Sequence, residues 1–175
     1  MKIASFIVGL LAVALYLLCF QLKSAKSIIA CRLISSVMYV LQYVLLFAFI
    51  GAAMDALALM TNYIAYKKET EFVQKYKIPI LILINIVIIT VGMLLYENIY
   101  SLLAIAGVLF ESASSWMKRE KMIRILSLFA VPCWLIYNIV CGAYASAIGS
   151  VLALVSIISA LIRYHFLDKK QKKAL

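Results

Sequence analysis

Long apolar runs alternate with short polar or charged connections along nearly the whole chain. Charge and turn residues delimit seven of them: 3–20, 28–49, 51–66, 78–96, 99–117, 125–141 and 143–164. At a rise of ~1.5 Å per residue, runs of this length approach or match a hydrocarbon core about 30 Å thick. Inside a bilayer every backbone N–H and C=O must be satisfied within the protein, which leaves helices or a closed barrel. Short, strictly alternating segments of the barrel kind are absent, so the runs are expected to be helices. The second and third are divided at 47–51, because an unbroken run over 28–66 is roughly twice what a bilayer needs.

Composition supports this reading and narrows it. The 175 residues are 67% hydrophobic and 14% charged, with a mean hydropathy of +1.08. Soluble domains are roughly half apolar and about a quarter charged. A soluble enzyme, a disordered tail, a disulfide-stapled module and a nucleic-acid binder are therefore excluded, although the net charge is +10. The lipid bilayer is the first partner.

The placement of the charge explains its excess. Of the seventeen Lys and Arg, all but Lys2 lie in or beside the connections after the first, third, fifth and seventh runs, and the other three connections hold none. Seven spans put these two sets on opposite faces, and the positive-inside rule assigns the basic one to the cytoplasm. The N-terminus is then expected outside and the C-terminus, with the basic tail 165–175, inside. The tail lysines Lys169, Lys170, Lys172 and Lys173 anchor topology, with an anionic-lipid or nucleic-acid patch as the alternative reading. Run 3–20 resembles a signal peptide around Ala12-Val13-Ala14, but it continues past that point and has a counterpart later in the chain, so it is expected to stay as a span.

That counterpart is an internal repeat. At an offset of 95, Lys23 falls on Lys118, Lys26 on Lys121, Ala52 on Ala147 and Leu57-Ala58-Leu59 on Leu152-Ala153-Leu154. Tyr39, Gln42 and Tyr43 fall on Trp134, Tyr137 and Asn138, an aromatic residue followed at i+3 and i+4 by hydrogen-bonding side chains on one helical face. Such groups near mid-span avoid lipid and face either protein or a wet cavity. Repeats over 3–66 and 99–164 run parallel only if an odd span, 78–96, lies between them. The expected fold is thus all-α, a polytopic 3+1+3 bundle with a solute site between its repeats.

The plan, the loop Phe20-Gln21-Leu22-Lys23-Ser24-Ala25-Lys26 and the stretch from Leu126-Ser127 through Pro132-Cys133-Trp134-Leu135-Ile136-Tyr137-Asn138 to Gly142-Ala143-Tyr144 resemble the YgjV family of bacterial inner-membrane proteins. The resemblance implies the inner (cytoplasmic) membrane and this fold. More distantly the plan is similar to SWEET, PQ-loop and PnuC-type transporters, which implies alternating access. The Pro-Gln pair of the PQ-loop proteins is missing. The two prolines, Pro79 and Pro132, fall outside 3–20 and 99–117 and within the first turns of their own runs, which leaves Gly9 and Gly107 as candidate flexing points.

Two acids lie inside runs, Asp55 and Glu111, and a carboxylate there is a candidate proton site unless it is paired. Asp55 could instead reach the outer interface, and Glu111 could pair with Arg32 or Arg124. Asn62 and Asn85 read as helix packing. His165, the single histidine, reads as an interfacial anchor. Cys19, Cys31, Cys133 and Cys141 lack metal-ligand spacing and read as small core residues, so no metal or cofactor is expected. No catalytic motif is present, and an enzyme is not expected. The functional expectation is a carrier of a small polar or aromatic-containing solute, bound by Tyr39, Gln42, Tyr43, Trp134, Tyr137 and Asn138. The alternative is a non-transporting scaffold, and a homodimer is compatible with either.

Overall fold

The computed structural model describes residues 2–173, and of these the side chains of 3–19 and 21–163. His165 and the tail lysines therefore lie outside the described side chains. Among the described residues there is no strand and there are eight helices: α1 Lys2–Gln21, α2 Ala25–Leu45, α3 Phe49–Tyr66, α4 Glu71–Lys75, α5 Lys77–Leu94, α6 Ser101–Ser115, α7 Glu120–Val140 and α8 Tyr144–Lys173. Each apolar run is helical over most of its length. Four helices are long and apolar enough to cross a bilayer, Ala25–Leu45, Lys77–Leu94, Glu120–Val140 and Tyr144–Arg163, with shorter apolar helices at Ile3–Cys19 and Ser101–Ser115.

Three boundaries differ from the sequence expectation, each for a local reason. The connection 67–77 folds a short helix, α4, opened by Thr70 in an extended conformation and carrying Glu71 in its first turn. Pro132 stands in the middle of α7 rather than in its first turns, because that helix starts at Glu120, after Arg119 in an extended conformation. The second and third runs separate at 46–48 instead of 47–51. There Phe47 takes a left-handed φ of 58°, Ala48 N–H donates to Tyr43 C=O at 3.0 Å and Phe47 N–H to Val44 C=O at 3.1 Å. This is the paired-bond closure that ends many helices. The same closure ends α7, where Gly142 has φ 75° and Ala143 N–H donates to Asn138 C=O at 2.9 Å.

The helices pack as a closed ring in the order α1, α2, α3, α6, α7, α8 and back to α1, with α5 outside it against α3 and α6. Small residues let the backbones approach, as in membrane bundles generally. A Cβ on Gly149 of α8 would lie 2.2 Å from Val13 Cγ2 of α1, and one on Gly92 of α5 would lie 2.4 Å from Ile105 Cγ1 of α6. The main core joins Tyr43, Met54, Ala58, Ile88, Val108, Trp134 and Tyr137. Large aliphatic side chains cover the outside, most densely on α5, where Ile78, Ile82, Leu83, Ile86 and Met93 are all exposed. A helix apolar on every side suits contact with lipid rather than water.

The basic connections meet at one end of the ring. Arg124 Nη2 donates to Leu22 C=O at 2.9 Å, and Lys68 Nζ donates to Ser115 and Met117 C=O at 3.1 and 2.7 Å. Lys26 lies over the Tyr66 ring, 5.3 Å from its centroid. Burial holds Lys68 below the usual lysine range, with the charges of Lys77 and Lys118 adding to the effect and Glu69 opposing it. At the other end, Ile3, Ser5, Leu46, Gly142 and Tyr144 line one surface groove.

Candidate functional site: a polar cavity on the ring axis

All six ring helices contribute to a cavity of about 40 Å³. Its walls are Tyr16 from α1, Arg32, Ser36, Tyr39 and Tyr43 from α2, Asp55 and Asn62 from α3, Glu111 from α6, Val131, Trp134 and Asn138 from α7, and Ser150 from α8. At roughly 10–15 Å³ per water, it has room for about three waters.

The wall is built from positions 95 residues apart that meet across the ring. Tyr16 O–H donates to Glu111 Oε1 at 3.3 Å, Arg32 Nη2 donates to Ser127 Oγ at 2.5 Å, and Tyr43 O–H donates to Asn138 Oδ1. Each bond joins a residue to its own offset partner. Ser36 and Val131, Tyr39 and Trp134, and Asp55 and Ser150 share the wall in the same relation. The helices related by the offset, α1 and α6, α2 and α7, α3 and α8, are each three places apart in a six-membered ring, so such positions face one another along its axis.

A buried guanidinium needs its donors engaged. Arg32 is 2% exposed, and its Nη1 donates to Ser114 Oγ at 2.7 Å in addition to the Ser127 bond. Arg32, Glu111 and Trp134 line the same cavity. Trp134 Nε1 lies where a Cβ on Gly107 would come within 2.9 Å. Gly9 likewise leaves room for Gln42, whose Nε2 would lie 2.5 Å from an added Cβ. Both glycines, candidate flexing points in the sequence, thus serve close packing here. Asn62 Oδ1 accepts from Ser115 Oγ at 2.5 Å.

Of the six side chains expected to bind solute, Tyr39, Tyr43, Trp134 and Asn138 line the cavity, and both acids, Asp55 and Glu111, line it with them. Tyr43 and Trp134 are stacked, with centroids 6.2 Å apart. Gln42 and Tyr137 face elsewhere. Gln42 Oε1 accepts from Ser146 Oγ of α8 at 2.6 Å, and Tyr137 packs against Gly51 of α3. This pair again obeys the offset, since Ser146 is the counterpart of Gly51. Asp55 is 6% exposed and turned into the cavity, not out to the interface. Tyr43 and Asn138 lie in the last turns of α2 and α7, nearer a helix end than the middle of the run. Tyr16, Ser36 and Ser150 line the cavity as well, although no mid-span polar triplet contains them. Applying the offset to polar residues, instead of to identities alone, brings out Tyr16 through Glu111 and Ser150 through Asp55.

No curated protein and no solved structure matches the chain. The model of the family Imp-YgjV, described as bacterial inner membrane protein, matches residues 3–168, nearly the whole apolar bundle. With its lipid-facing helices and its closed ring around buried polar groups, the chain belongs to the YgjV family of bacterial inner-membrane proteins.

Proposed function

We propose that this protein is a non-enzymatic carrier that moves a small solute across the inner membrane by alternating access, using the axial cavity between two parallel three-helix units. In this reading α1–α3 and α6–α8 are the units, α5 is the direction-restoring span, the N-terminus is outside and the C-terminus cytoplasmic. The observation that carries it is the set of bonds between residues 95 apart, Tyr16 to Glu111, Arg32 to Ser127 and Tyr43 to Asn138, around one polar cavity. Two equivalent halves meeting at a polar axis are the arrangement in which rocking of one half against the other exposes a central site to either side. With room for about three waters, the cavity must widen for a sugar or nucleoside. Tyr39, Tyr43, Trp134 and Asn138 contact the solute, and Asp55 and Glu111 carry protons or balance charge.

Two observations favour the scaffold reading instead: the close packing over Gly9 and Gly107, and the lack of proline in α1 and α6. Reconstitution into vesicles and uptake of labelled sugars, amino acids, nucleosides and small amines separates the two. Saturable uptake lost in Asn138→Ala supports the carrier. No uptake across the panel, with a stably co-purifying protein partner, supports the scaffold.

A further inference from the structure

Asp55 differs from Glu111 and Arg32, the other carboxyl group and the guanidinium of the cavity wall, in having no hydrogen-bond partner among the described residues. It is 6% exposed and lines the cavity. The charged side chain that acts on it is Glu111, a like charge. Arg32 and Glu111 offset each other, and the guanidinium is held by Ser114 and Ser127. With both acids ionised, one negative charge in the cavity is left over, and a buried carboxylate without a counter-charge or donor is costly. A proton on one of the acids closes the balance, and so does one monovalent cation.

The wall around Asp55 indicates which kind. Tyr39, Tyr43 and Trp134 line the cavity together with Asp55, and Trp134 stacks on Tyr43. A divalent metal ion would overbalance that single charge, and a monovalent metal ion would find oxygen ligands such as Asn138 and Ser150 on the wall but leave the rings of Tyr39, Tyr43 and Trp134 without a partner. Aromatic rings beside a carboxylate instead suit an organic ammonium, whose N–H groups bond the carboxylate while its charge and carbon chain lie against the rings. We propose that the cavity binds a small primary ammonium ion of about three or four non-hydrogen atoms, the space of about three waters, with its nitrogen on Asp55 and its carbon chain against Tyr39, Tyr43 and Trp134. This deepens the reading of the cavity as a solute site and does not depend on movement of the ligand across the membrane.

The test uses the full chain in detergent. Trp116→Phe leaves Trp134, in the cavity wall, as the one tryptophan. Its fluorescence is followed during titration with ethylammonium chloride at constant ionic strength, and in parallel with acetamide and sodium acetate. A saturable change with ethylammonium alone, shifted to roughly 10- to 100-fold higher concentration by Asp55→Asn, is expected, the factor carried by a hydrogen bond to a charged partner. An equal response to acetamide, acetate or sodium chloride, no response to ethylammonium, or an unchanged affinity in Asp55→Asn overturns the proposal. If Asp55→Asn does not fold, the comparison of ligands on the Trp116→Phe protein still decides. Ethylammonium binding without uptake in vesicles upholds this inference and sinks the carrier. Uptake of another solute without ethylammonium binding does the reverse.

Discussion

Tyr43 and Asn138 hold equivalent places in the two halves of the chain, 95 residues apart, and Tyr43 donates its hydroxyl proton to the Asn138 side chain across the ring axis. Both are buried, and Asn138 Nδ2 reaches on to Ser150 Oγ at 3.4 Å. Tyr43→Phe removes the donor and leaves a buried carbonyl oxygen unsatisfied, which costs about 1–3 kcal/mol. Asn138→Leu in the same chain removes that orphaned acceptor and restores part of the loss. A double-mutant cycle on unfolding in mixed detergent measures the coupling; additive single and double effects would show that the bond contributes nothing.

The contact between α1 and α8 closes the ring, and Gly149 makes it possible. A Cβ there would stand 2.2 Å from Val13 Cγ2, so Gly149→Ala overpacks the contact and is expected to cost about 1–3 kcal/mol. Val13 is 5% exposed, and Val13→Ala removes the clashing methyl groups. Thermal melting of the two single variants and the pair checks this. Recovery of most of the lost stability in the pair is the expected result, and a pair no better than Gly149→Ala contradicts it.

The two matching helix ends predict opposite effects when glycine is removed from one and introduced at the other. Gly142 has φ 75° and a Cβ there would meet nothing within 4 Å, so the cost of Gly142→Ala is that of the backbone conformation alone, about 1 kcal/mol. Phe47 adopts the same left-handed conformation with a side chain, φ 58°. Phe47→Gly relieves that strain and raises stability, by less than Gly142→Ala lowers it, since the Phe47–Phe49 ring contact at 6.3 Å is lost. Parallel melting curves of both variants decide the sign.

The apolar pattern located every long helix because each run must hide its own backbone from lipid, a demand local to the run. The charge pattern sorted the connections, and the basic ones do meet at one end of the ring through Arg124, Lys68 and Lys26. The offset of 95 was legible as well, but its meaning was not. Tyr39, Gln42 and Tyr43 read as one face because positions three and four apart lie on the same side of a helix. That face is wide enough to be divided between neighbours. In the ring Tyr43 turns to the axis and Gln42 to α8, while Asn138 turns to the axis and Tyr137 to α3. Periodicity along one helix cannot choose between those directions, because the choice depends on where the other helices stand. For the same reason Asp55 and Glu111 were legible as costly acids, but not as one acid with partners and one without. Hydropathy and the offset of 95 are local or pairwise properties of the chain, and they suffice for a helical membrane chain with matching polar positions. That residues 95 apart touch across an axis emerges with the packing, since the contact exists only once six helices close into a ring.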